Sequence, residues 1–246
     1  MRKVQPSQAP SEPRSERDRA VALVPPADDE REGPSVPSDP RDPQGSAARP
    51  RSVRDARGAE LAEEAAELCR RVAAGEGRAF SRLTELYQHR IFSFCVRMVK
   101  DRHEAEDLAQ DVFLSVYRHA GEFRGEASFN TWIYRIARNH ALNRIKYLER
   151  RGRSTGRSLD EVGEDSLRSD RRGPDALVEG EQTSAVVRAA IERLPRQQRE
   201  VLVLRDLEGL PYEDITEITG LALGTVKSRI HRARSALAER LSRILS

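Results

Sequence analysis

Aromatic side chains make up 5% of the 246 residues, with a single Trp, and residues 1–56 contain none. Hydrophobic residues amount to 37% against 34% charged. That balance excludes one large core and favours small helical domains accompanied by unstructured chain. No apolar run approaches the roughly 18 residues that a membrane span requires, and no apolar segment follows the first basic residues. Secretion and membrane insertion are not expected, and a reduced, cytoplasmic protein is. Cysteine is limited to Cys69 and Cys95, with no Cys-x-x-Cys or Cys/His cluster near either, so neither a disulfide framework nor a zinc site is signalled. No nucleophile, metal cluster or nucleotide-binding loop is visible, and no catalytic residue or cofactor is expected. Lysine is confined to Lys3, Lys100, Lys146 and Lys227, so almost all of the 43 basic residues are Arg. A compositional bias of the genome and selection for bidentate phosphate contacts both produce such a bias.

What is present falls into blocks. Residues 1–57 hold most of the prolines and mix acidic with basic side chains, so burial cannot offset the ordering entropy, and a disordered tail is expected. Helical periodicity dominates residues 58–151, with Gly75, Gly77, Gly121 and Gly125 as punctuation. Residues 152–182 are rich in Gly, Ser, Asp and Arg and read as a flexible acidic linker. A second helical pattern fills residues 183–246, broken by Pro195, Gly209, Pro211, Gly220 and Gly224. No segment carries a convincing strand period. The expected architecture is all-α, two small helical domains on a tether.

The stretch from Pro211 to Gly220, then Leu221 to Gly224, then Thr225 onward reads as helix, turn, helix, with Thr225 as N-cap of the second. On a helical wheel Val226, Ile230, Ala233, Leu237 and Leu241 form an inward stripe opposite Lys227, Ser228, His231, Arg232 and Ser235. Residues 221–246 carry six Lys or Arg against one acid, whereas Glu200, Asp206, Glu208, Glu213, Asp214 and Glu217 precede them. Such a helix suits the major groove, where Lys and Arg donate to guanine and Ser to either base. Lys227, Ser228, His231 and Arg232 are the candidate base readers, and Arg229 and Arg234 are placed to reach phosphates. Repressors, activators and initiation factors all use this motif, so the first domain must decide among them.

Over residues 103–120 the wheel turns Ala105, Leu108, Ala109, Val112 and Val116 inward and Asp107, Gln110, Asp111 and Leu114 outward. An exposed Leu on an acidic surface fits a protein partner with a basic face; an ordinary solvated face is the alternative. Over residues 128–151 Phe129, Ile133, Ile136, Ala137 and His140 pack, while Trp132, Arg135, Asn139, Asn143 and Lys146 share another side with Arg138 nearby. Residues 130–157 hold eight Lys or Arg and one acid. Aromatic, amide and cation together suit unpaired bases, because stacking contributes about 1–3 kcal/mol per base and Arg neutralises phosphate. Phe123, in the preceding loop, is either the wall of a pocket for an extruded base or a packing residue, and Trp132 is open to the same two readings.

The segments Glu104 to Leu114, Phe123-Arg-Gly and Thr131 to Asn139 resemble region 2 of the extracytoplasmic-function group of sigma-70 family sigma factors. Leu194 to Leu202, Leu207 to Ile215 and Gly224 to Arg234 resemble that group's region 4. The resemblance covers about 59–151 and 183–243 and implies a specificity subunit of bacterial core RNA polymerase. It implies that Asp107, Gln110, Asp111 and Leu114 dock on the polymerase, and that Phe123, Trp132, Arg135 and Asn139 lie around the melted minus ten strand. Thr225, Lys227, Ser228, Arg229, His231, Arg232 and Arg234 would lie at the minus thirty-five duplex, His231 departing from the large apolar or aromatic residue common there. The family also implies an anti-sigma partner and a linker running near the polymerase channels. A stand-alone helix-turn-helix regulator and a sigma-like inhibitor of polymerase remain as alternatives.

Overall fold

A computed structural model describes residues 53–155 and 179–245. The expected tail up to residue 52 and the middle of the expected linker, residues 156–178, lie outside the described residues. Eight α-helices carry the chain among the described residues: α1 Val53–Ala73, α2 Gly77–Val99, α3 Arg102–His119, α4 Phe129–Thr155, α5 Glu179–Glu192, α6 Arg196–Leu202, α7 Tyr212–Thr219 and α8 Leu223–Leu245. A 3-10 turn, Ala120–Glu122, follows α3, and a π-helical turn, Val203–Leu207, follows α6.

Three boundaries differ from expectation. Helix α1 starts at Val53 rather than near residue 58, because Pro50 is the last proline of the N-terminal block and the Ala, Arg and Glu that follow favour helix. Helix α4 continues to Thr155 and α5 opens at Glu179, so both ends of the expected linker are helical. Helix α8 begins at Leu223, and the Val226 amide donates to the Ala222 carbonyl at 3.0 Å. Thr225 therefore lies within the first turn and is not the N-cap.

Helices α1 to α4 pack around Leu83, Tyr87, Ile91, Phe94, Phe129, Ile133 and Tyr134, all nearly inaccessible. The connections are tight. Lys100 closes α2 in the left-handed region (φ 63°), and the next residue, Asp101, accepts the Glu104 amide at 2.9 Å as N-cap of α3. Ser128 opens α4 by accepting the Thr131 amide on its hydroxyl at 3.1 Å and the Trp132 amide on its carbonyl at 3.0 Å. In the C-terminal half Gly220 ends α7 at φ 72°, where a side chain would be strained, and its amide donates to Thr216 at 2.8 Å. That turn sets α8 across α7, burying Val226, Ile230 and Ala233 against Ile215, Ile218, Leu202 and Leu204.

The two halves do not stand apart. Helix α4 packs on α7 and α2 on α6, and one apolar cluster runs from Ala65 to Ala233 through both. Arg199, 4% exposed, fastens the junction by donating to the Glu192 carbonyl at 2.8 Å and to the Met98 carbonyl at 3.2 Å. The second of these lies in the last turn of α2, where the helix dipole favours a cation.

Candidate nucleic-acid and polymerase interfaces

Helix α3 presents the acidic face. Ala105, Leu108, Ala109, Val112 and Val116 are buried, and the 3.6-residue period then leaves Asp107, Gln110, Asp111 and Leu114 on the outside. Leu114 is 49% exposed, and Tyr117, 54% exposed, extends its apolar patch by one turn, with its ring edge-on to Phe80 at 5.1 Å. Asp107 faces Arg144 of α4 at 3.4 Å. Behind this face Ser115 and His140 are joined at 2.8 Å, and His119 Nδ1 lies 2.8 Å from the Ser115 carbonyl. Burial holds the His140 imidazole below its ordinary value, Asp111 opposing that and His119 adding to it.

Helix α4 has three sides. The inward side carries Phe129, Ile133, Ile136 and Ala137, together with Tyr134, which the sequence reading left out. A second side holds Asn139, half-buried, with Asn143 and Lys146 exposed. Trp132 sits above these, half-buried, 5.7 Å from the Phe129 ring and 5.4 Å from Phe123. Phe123 itself is buried, with its ring also edge-on to Phe129 at 5.6 Å. It therefore packs against the core, one of the two readings that the sequence left open for it. The Phe123–Trp132–Phe129 cluster instead braces the start of α4.

The third side of α4 faces α6 and α7. Thr131 donates its hydroxyl to Asp214 at 2.8 Å. Four and seven residues on, Arg135 pairs with Glu217 and Arg138 with Glu200. Between them the Tyr134 hydroxyl donates to Glu208, whose carboxylate also takes Arg90 of α2 at 3.2 Å. Burial, with Glu208 beside it, raises the Tyr134 hydroxyl far above its ordinary value, so it stays protonated and donates its proton to that carboxylate. Arg135 and Arg138, expected at nucleic acid, are thus engaged within the chain. The signal for this was in the sequence as two complementary blocks, basic over 130–157 and acidic over 200–217.

Helix α8 turns Lys227 and Arg232 outward, with Ser228 and His231 half-buried. The Lys227 ammonium lies 5.7 Å from the centre of the Tyr212 ring, and Arg205 lies 4.6 Å from the same ring. Ser228 donates its hydroxyl to the Thr225 carbonyl at 3.0 Å. Arg234 makes a two-point pair with Asp206 at 2.7 and 3.1 Å, which ties α8 to the π turn rather than leaving it poised for a phosphate. Arg229 is half-buried, and its desolvation, opposed by Glu200 and reinforced by Arg138, lowers its proton affinity. No group of His, Cys, Asp and Glu able to hold a metal ion occurs among the described residues. Nor is any described helix long and apolar enough to cross a membrane.

A helix-turn-helix half and a four-helix half with aromatic, amide and basic side chains on one helix define a DNA-binding transcription protein. The family model for sigma-70 region 2 matches residues 83–151, and that for sigma-70 region 4 matches residues 184–237. The RNA polymerase sigma-H factor of Pseudomonas aeruginosa is 39% identical over 187 residues, covering 74% of this chain and 96% of that protein. The ECF RNA polymerase sigma-E factor of Escherichia coli is 36% identical over 184 residues, covering 72% and 94%. Among solved structures, the sigma factor RpoE of Bartonella quintana, determined in complex with the anti-sigma factor NepR, superposes with a TM-score of 0.50 at 26% identity. It covers 66% of this chain and 96% of that one. CnrH, in complex with the cytosolic domain of CnrY, shares the fold with a TM-score of 0.52 at 22% identity over 73% of this chain and 97% of that one. The chain belongs to the extracytoplasmic-function group of the sigma-70 family of RNA polymerase sigma factors.

Proposed function

We propose that this sigma factor binds core polymerase through Asp107, Gln110, Asp111 and Leu114, reads minus thirty-five duplex with α8, and captures the melted minus ten strand on α4. The observation that carries the reading is the side of α4 turned away from α6 and α7, where half-buried Asn139 and exposed Asn143 and Lys146 follow Trp132 along one surface. The mechanism is binding energy rather than covalent chemistry. Separating a base-pair step costs roughly 1–2 kcal/mol, and stacking and hydrogen bonding of the released bases offset that cost where the sequence fits. Selection and opening are then one event. On α8, Lys227 and Arg232 supply cations to base edges or phosphates, while Ser228 reaches a base by turning its hydroxyl from the Thr225 carbonyl. Phe123 supports Trp132 from the preceding loop at the edge of this surface.

In this reading the protein is not an enzyme, acts in the cytoplasm, uses no cofactor, and is held by an anti-sigma partner, as the solved relative RpoE is seen with NepR. The charged surface on α3 and the match to region 2 favour this over a stand-alone regulator, which needs no such face. The test is run-off transcription with bacterial core on a library of randomised promoters. Enrichment of a two-part motif with a fixed spacer is expected, with Asn139→Ala and Asn143→Ala impairing strand opening more than duplex binding. Firm core binding without initiation from any template overturns the reading.

A further inference from the structure

Where α2 ends against α5 and α6, cations gather around one carboxyl. Arg199 of α6 joins the three helices by donating to the Glu192 carbonyl at 2.8 Å and to the Met98 carbonyl at 3.2 Å. That junction sets Arg97, in the last turn of α2, and Lys100, which caps the helix, beside Glu192, the last residue of α5. Arg188 stands one turn before Glu192 and so on the same face of α5. Arg188, Arg199, Lys100 and Arg97 all act on the Glu192 carboxyl, yet burial outweighs them and raises it above its ordinary value.

The polar atoms of this cluster do not satisfy one another. Glu192 is 8% exposed, and its buried Oε1 has no hydrogen-bond donor among the described residues. The Nε of half-buried Arg97 is likewise buried without an acceptor, its Nη1 donating to the Ser93 carbonyl at 2.8 Å within its own helix. Burial lowers the proton affinity of Arg97 and Arg188 adds to that, while Glu208, Glu192 and Tyr134 oppose it. Glu208 gives no direct contact, because its carboxylate is taken by Arg90 and by the Tyr134 hydroxyl. Buried donors and acceptors left unmatched are costly, and perturbed charges brought together mark a site where a ligand completes the set. Guanidinium forks match phosphate oxygens two at a time. Arg188 is exposed and Arg97 and Lys100 are half-buried, so solvent reaches the cations. Lys100 is also the one non-glycine among the described residues with a positive φ, a conformation that collects where the placement of a side chain matters. No member of the cluster lies on α4 or α8, the two candidate DNA-binding helices.

We propose that Arg97, Lys100 and Arg188, beside Glu192, form a binding site for a diphosphate group, free or carried by a nucleotide. A single phosphate brings a charge of about −1.5 to −2, and two linked phosphates match three cations better than one does. Glu192 enters the site as a hydrogen-bond donor when protonated and as a charge opposing the ligand when ionised. The site does not depend on the assignment of α4 to the melted strand.

The test is calorimetric titration of the full chain with sodium pyrophosphate at fixed ionic strength, paired with thermal melts. Saturable binding at one site per chain is expected, with a melting temperature that rises as the site fills. Arg97→Gln and Arg188→Gln should each weaken binding about tenfold. Glu192→Gln should tighten it about threefold or more, because it removes a like charge and keeps a donor. Arg78→Gln and Arg118→Gln serve as charge-matched controls, exposed and each roughly 25 Å of helix from the cluster; both should stay within about twofold of the unmutated chain. Since Arg188 is exposed, its variant carries the test if Arg97→Gln does not fold. Adenosine diphosphate separates the two sources: tighter binding than pyrophosphate assigns a nucleotide, and equal or weaker binding assigns the free anion. Absence of saturable binding together with an unmoved melting temperature overturns the site. So does an equal loss in the Arg78 and Arg118 controls, which would make the affinity a general property of an arginine-rich surface. Weaker binding in a folded Glu192→Gln protein overturns the placement of the ligand beside Glu192.

Discussion

Replacing Asp107 and Asp111 by Lys addresses the polymerase-facing surface without touching the core, since both carboxylates are exposed and Asp107 retains 69% of its side-chain accessibility. Exposed ion pairs contribute roughly 0.2–1 kcal/mol each. Reversal exchanges an attraction for a repulsion of similar size, so the two substitutions together should cost binding about 1–4 kcal/mol. At 1.4 kcal/mol per factor of ten that is about 5-fold to several hundredfold in Kd. Within the protein the loss is small, because the contact of Asp107 with Arg144 at 3.4 Å is itself partly exposed. Leu114→Ala supplies the apolar comparison. Full burial of Leu is worth roughly 1.5–3 kcal/mol, and Leu114 is 49% exposed. Docking can therefore bury about half of that, for a loss of about three- to twelvefold. The assay is fluorescence anisotropy of labelled protein against bacterial core at several salt concentrations. The effect of the Asp substitutions should shrink as screening grows, from a Debye length of about 10 Å at 0.1 M to about 3 Å at 1 M, whereas that of Leu114→Ala should not. Unchanged affinity in the charge-reversed protein, or a loss that salt does not diminish, would refute a docking role for this face.

Two further measurements test the interior. His140 is depressed by burial, so between its folded value and the ordinary 6.5 the unfolded chain binds more protons, and its contribution to stability is full above 6.5 and falls as the pH drops. Urea melts should show declining stability on acidification below about 6.5, with that part of the decline removed in His140→Gln; an unaltered pH profile in the variant would exclude His140 as the cause. Burial pushes the Cys69 thiol up to about 11 and the Cys95 thiol to about 12. Neither should react with Ellman's reagent at mildly alkaline pH until denaturant is added, when both should, and rapid reaction of the folded chain would show that the helices enclosing them open readily.

The inward stripe of α3, and that of α8 as far as Ala233, were legible residue by residue because a helix that buries one face writes that face into its period, whereas Leu237 and Leu241, expected on the same stripe of α8, are only half-buried because the core ends before them. Ala105, Leu108, Ala109, Val112 and Val116, like Val226, Ile230 and Ala233, lie where the wheel puts them. The outward residues were legible only by type. An Arg that meets a phosphate and an Arg that meets a carboxylate of the same chain have one local signature, and Arg138 and Glu200 are 62 residues apart. Nothing in the period of α4 separates Asn143, which faces outward, from Arg135, which is shared with Glu217. Tyr134 was missed for a related reason. A Tyr at a position adjoining the basic side reads as amphipathic surface until Glu208 arrives from another helix to accept its hydroxyl. Phe123 was undecidable because a loop aromatic carries no period, and its burial depends on where Phe129 and Trp132 stand. The π turn left no mark in composition, although it helps bring Glu208 to the junction. The near-balance of 43 basic and 40 acidic residues takes on a physical meaning through these contacts. A chain carrying nearly as many acids as bases can satisfy its cations internally, as Glu217 and Glu200 do for Arg135 and Arg138, and sequence pattern alone does not decide which cations are held in this way.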